Sequence, residues 1–167
     1  MPTPSAREAE AFFFEASLNT YAGVEGERRG IRIVIPEFPN AKAWLYEAGG
    51  FRYVDKYFVS SSGGQESFGE TVIWHGGNPI WFMQYRGYYP ESVSPFLKSV
   101  LRAQYLAGFF WAGRGEPVVE KNGLYYRNEP VQNRFGFERF ETEEKILQGG
   151  AQGEVLGRHY CAGFFLP

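Results

Sequence analysis

The chain has 167 residues, a formal net charge of −2, 22% charged residues and 19% aromatic residues. That length suits one domain with a continuous core, and the charge excludes a polybasic nucleic-acid face, whose affinity comes from phosphate neutralisation. One cysteine, Cys161, excludes an internal disulfide, and no apolar run reaches the roughly 18 residues of a membrane-spanning helix.

The first residues, MPTPSAREAEAFFF, lack the basic and apolar zones of a secretory leader, so a cytoplasmic protein is expected. Ser5-Ala6-Arg7-Glu8 has the form of a capping box, in which serine and glutamate satisfy each other's free amides. Ala9, Phe12, Phe13 and Ala16 follow at helical spacing, predicting an amphipathic helix over 5–19 that stops near Tyr21-Ala22-Gly23. Ile31, Ile33 and Ile35 alternate with Arg32 and Val34 as in a strand, which Pro36 and Pro39 then break. Residues 51–59 and 70–75 read as strands, and Gly76-Gly77-Asn78-Pro79 turns the chain into a third at 80–86. Apart from Gln84, residues 80–85 of this strand are apolar on both parities, which predicts a central strand covered on two faces. Ser94-Pro95 opens a second helix with Leu97, Val100, Leu101 and Tyr105 on its buried stripe, ending before Phe110. Strands at 143–148 and 154–161, joined by a glycine-rich turn, complete the chain.

Residues 50–77 lie over 123–150 without a gap, at a constant offset of 73. Seven positions are identical: Gly50/Gly123, Tyr53/Tyr126, Gly63/Gly136, Glu70/Glu143, Ile73/Ile146, Gly76/Gly149 and Gly77/Gly150. Aromatic-Ala-Gly closes both helices, at 21–23 and 111–113. Self-similarity at fixed spacing marks a duplicated unit. Each half reads as helix, strand, strand, Gly-Gly hairpin, strand, so helices precede runs of strands. The expectation is an α+β fold with antiparallel pairing, a single domain over 1–167, with halves at about 5–89 and 94–165 related by a pseudo-two-fold.

The sequences TYAG, GFRYVDKYF, FGETVIWHGGNPIW, PFLKSVL and EEKIL…GG…HYCAGFF together resemble a bacterial domain family of unknown function. Its members occur alone or fused behind a helix-turn-helix segment. The resemblance spans the chain from about Leu18 to Phe165. It implies a stand-alone copy without the DNA-reading segment, and it carries over no catalytic residue.

Glu70 and Glu143 are equivalent in the repeat. Facing each other across a cleft, they would act as acid and base or hold a cationic group; the competing reading pairs them with Arg52, Lys56 or Lys145 on the surface. Tyr53 with Asp55, and Tyr126 with Asn128, put an aromatic and a polar group on one strand face, as small-molecule pockets do. His159 and Cys161 share a strand face too, but without the surroundings of a nucleophile. No cofactor motif or metal-ligand spacing is present. The reading is a non-enzymatic sensor or binding domain for a cationic or aromatic small molecule, held between the halves by Tyr53, Tyr126, Trp74, Trp81, Asp55, Glu70 and Glu143. The alternatives are an interaction module with exposed aromatics, compatible with a homo-oligomer, and a small hydrolase or lyase using the two glutamates. Neither nucleic acid nor membrane is an expected partner.

Overall fold

The computed structural model describes residues 3–60 and 66–166, so Gly63 of the Gly63/Gly136 pair lies outside the described residues. The capping box forms: the Ser5 amide donates to Glu8 Oε2 at 2.8 Å and the Glu8 amide to Ser5 Oγ at 3.3 Å, opening α1 (Ala6–Leu18). The second helix, α2 (Ser94–Ala107), has proline in its first turn and ends on Gly108 in the left-handed region.

Among the described residues, nine strands make one antiparallel sheet. In chain order they are β1 (Ile31–Ile33), β2 (Lys42–Ala48), β3 (Phe51–Val59), β4 (Glu66–His75), β5 (Asn78–Tyr88), β6 (Val118–Lys121), β7 (Leu124–Pro130), β8 (Arg139–Gln148) and β9 (Glu154–Phe165). Their spatial order is β1-β2-β3-β4-β5-β9-β8-β7-β6. The protein is therefore α+β with an antiparallel sheet. Apart from β1 the order reads alike from both ends, and the β5–β9 pair stands at the centre.

Register follows the same pattern. Tyr53 faces Ile73 across β3 and β4, and Tyr126 faces Ile146 across β7 and β8. Both halves carry an irregularity at the matching place, between Ile73 and Trp74 and between Ile146 and Leu147. Gly77 and Gly150 both take positive φ in the hairpins that follow, a conformation glycine adopts without steric penalty.

Both helices lie on one face of the sheet. Phe13 of α1 packs on Trp81, Tyr105, Phe110 and Phe137, and Leu97, Val100 and Leu101 of α2 join the same core. The opposite, outer face carries Phe68, Tyr160 and Phe164 exposed to solvent. The β5 strand is central as its sequence indicates, but the helices cover it on one face. On the outer face Phe82 lies opposite Val72 and beside Phe164 of β9, with ring centroids 5.9 Å apart in the latter pair, and Gln84 is exposed. Among the described residues, no helix is long and apolar enough to cross a membrane.

Candidate functional site

Successive strand residues point to opposite faces, so Tyr53 and Asp55 of β3, Thr71 of β4, and Met83 and Tyr85 of β5 all look toward the helices. Between this patch and the two helices lies a cavity of about 550 Å³, within the range of small-molecule sites. Tyr53, Asp55, Tyr85 and Tyr89 line it from the first half of the chain. Leu97, Leu101 and Tyr105 of α2, Arg114 and His159 line it from the second. Lys42, Glu91 and Lys98 stand at its exposed mouth.

Two polar groups form the floor. Asp55 is 5% exposed; its Oδ1 accepts from Tyr85 Oη at 2.7 Å and from Thr71 Oγ1 at 3.0 Å. Among the described residues no donor reaches Oδ2. Burial raises the Asp55 pKa, opposed by the Tyr85 and Thr71 hydrogen bonds and by the Arg114 charge.

Arg114 is the second group. Its Nε donates to Glu144 Oε1 at 3.3 Å and its Nη2 to Glu144 Oε2 at 2.7 Å, a two-point pairing with a carboxylate that is 0% exposed. Nη2 also lies 3.1 Å from Nδ1 of His159. A guanidinium only donates, so Nδ1 accepts, and Nε2 carries the imidazole proton toward Ser67 Oγ at 3.2 Å. Burial first, then the Arg114 charge, lowers the His159 pKa to about 2. The imidazole is thus a fixed neutral group stacked on Tyr89, with ring centroids 4.7 Å apart, and a poor base for Ser67. Cys161, two residues on, is buried with its pKa raised by desolvation, the reverse of an activated thiol.

The residues singled out in the sequence divide three ways. Tyr53 and Asp55 reach the cavity. Trp81 and Tyr126 are in the core: Trp81 stacks on Phe137 and donates to its carbonyl, while Tyr126 is closed over by the loop after α2. Trp74, Glu70 and Glu143 point to the outer face, because each is an odd number of residues from a core-facing isoleucine on its own strand. Glu70 pairs with Lys56, and Glu143 with Lys145 and Arg158. Three strand spacings separate β4 from β8, about 14 Å. This corrects the expectation of paired glutamates: they meet neither each other nor the cavity, and that spacing exceeds any acid/base pairing of carboxylates.

Arg114, His159, Glu144 and Tyr85 were not anticipated. Only the even spacing of His159 and Cys161 on one strand hinted at them; the partners come from distant segments.

The second half closes its matching position with its own chain. Asn128, equivalent to Asp55, donates through Nδ2 to the carbonyls of Ala112 at 2.7 Å and Gly115 at 3.0 Å, and accepts from Thr142. The loop from Phe110 to Gly115 fills the space that stands open in the first half.

Residues 55–165 match the family described as a domain of unknown function, DUF5680. The chain belongs to that family. The match covers β4 to β9 with α2, and so includes every floor residue of the cavity named above except Tyr53. No curated protein is similar to this DUF5680 member. Among solved structures, a possible transcriptional regulator, YydK, from Bacillus subtilis subsp. subtilis str. 168 shows 10% identity. That alignment covers 100% of this chain and 89% of that chain with a TM-score of 0.24, too loose a superposition to bear on fold or function.

Proposed function

We propose that the protein is a non-enzymatic small-molecule-binding domain, built from a duplicated unit, with its ligand site in the cavity between α1, α2 and the sheet. The observation that carries this reading is Asp55, a carboxylate only 5% exposed that lines a tyrosine-rich hollow and whose Oδ2 accepts no hydrogen bond among the described residues. A carboxylate whose pKa is raised by burial, set in a largely apolar hollow, is the kind of group a ligand completes. The second half supports the contrast, since its equivalent Asn128 is fully served by backbone carbonyls. The matching registers and turns of the halves support descent from one repeated segment. Binding without catalysis agrees with His159, whose contact with Arg114 leaves it no base to offer. A chain with one buried thiol has no need of an oxidising compartment, and we place it in the cytoplasm.

The test is thermal shift with a panel of aromatic fragments, run on the parent chain and on Ser94→Trp, which places a large ring on the cavity wall. Fragments that raise the parent's melting temperature and lose that effect in Ser94→Trp support the site. Equal shifts in both proteins place binding elsewhere. The uncovered outer face favours a second reading, an interaction module, because Phe68 is 59% exposed and stacks on Phe58 at 5.0 Å. Light scattering that shows concentration-dependent association, abolished by Phe68→Lys, supports it.

A further inference from the structure

We propose that the ligand is an organic monocation, a protonated amine or amidine on an aromatic body, whose N–H groups bond to Oδ2 of Asp55 while its ring packs among the tyrosines. This rests on the reading of the cavity as a ligand site and names what enters it.

Charge balance leads to the choice of a cation. The floor holds one carboxylate, Asp55, and one guanidinium, Arg114, whose charge the fully buried Glu144 behind it neutralises; His159 is neutral. Arg114 is committed to Glu144 through both Nε and Nη2 and to His159 through Nη2, and among the described residues it makes no ion pair with Asp55. Once ionised, Asp55 carries a negative charge with no ion-paired partner among the described residues. A guest with a single positive charge restores neutrality, whereas an anion would add to the imbalance.

Hydrogen-bond sense agrees. In the second half the loop offers carbonyl oxygens, and the residue that meets them is an amide with hydrogens to give. In the first half the same position is a carboxylate, which only accepts when ionised, so its complement must bring the hydrogens. The walls suit a cation as well. The Arg114 guanidinium already lies over the Tyr85 ring at 5.4 Å, and the Lys98 ammonium over the Tyr21 ring at 5.3 Å. Lys42 and Lys98 against Glu91 make the mouth slightly basic, so selection comes from the floor rather than from long-range attraction.

Binding is linked to a proton. The groups facing Asp55 are Tyr53 on its own strand, Thr71 and Tyr85 across the sheet, Arg32 on β1, Arg114 from the loop and Tyr21 after α1. Burial raises the Asp55 pKa against them and a bound cation lowers it again, so binding releases a proton from the fraction of Asp55 that holds one.

The experiment is titration calorimetry with tryptamine as probe and tryptophol as its neutral counterpart, in two buffers of different ionisation enthalpy. Tryptamine is expected to bind at least about ten-fold tighter than tryptophol, with proton release, and its affinity is expected to fall as pH falls. Asp55→Asn is expected to bring the two probes within about two-fold of each other. Equal affinity on the parent chain overturns the inference, even if the variant fails to fold, and leaves the cavity reading intact. A tryptamine preference that survives in folded Asp55→Asn overturns it too. If neither probe binds and no neutral fragment does, both readings fall together.

Discussion

Asp55 and Asn128 occupy equivalent strand positions and differ by one group, a carboxylate oxygen in place of an amide nitrogen. That difference gives Asp55 a pH signature. Its pKa is raised by burial, so the folded chain keeps a proton there after the unfolded chain has lost it. The stability this group contributes is therefore full below the unfolded value of about 3.9, and is lost as pH rises toward the folded value. Asparagine does not ionise. In urea titrations Asp55→Asn is expected to gain on the parent as pH rises above about 4; a difference that stays constant with rising pH would show a carboxyl that titrates normally. Arg114 and Glu144 answer a different question. Arg114→Met leaves a fully buried carboxylate unpaired, an expected loss of about 3–5 kcal/mol, and adding Glu144→Leu restores most of it. If the double variant is no more stable than the single one, the charged pair is not the cause.

At the scale of elements, the loop 110–115 decides which half stays open. Its glycines permit the close approach: a Cβ on Gly115 would stand 2.0 Å from the Tyr126 hydroxyl. Gly115→Ala is expected to cost about 1–3 kcal/mol and to lift the loop. Arg114 would move with it, freeing His159 to titrate nearer its ordinary range by NMR. A His159 pKa unchanged from that of the parent chain would show that the loop does not hold Arg114 in place. The helices and hairpins were legible because local chemistry specifies them: the Ser5–Glu8 box, Pro95, and the Gly-Gly turns. The β2 strand was not, because Ala43 and Trp44 are both buried and the alternation that signals a strand is lost. At four residues, β6 is too short to show a period.

For the whole molecule, the sheet order, with β5 and β9 at its centre, was not legible in the sequence, because local pattern does not specify which strands pair. The repeat pattern misled about the site. Matching positions in the two halves come together only beside the central β5–β9 pair, whereas Glu70 and Glu143 lie one strand out on either side, on the outer face. Tyr53 and Asp55 could be found in the sequence because two residues on one strand share a face. Arg114 and His159 could not, since tertiary pairing brings them there from a loop and from β9. The most direct measurement is a crystal structure of the protein soaked with tryptamine. The account predicts the indole among Tyr53, Tyr85 and Tyr105, with the ammonium within hydrogen-bond distance of Asp55 Oδ2. A cavity filled by its own side chains, or tryptamine bound only on the outer face of the sheet, would contradict it.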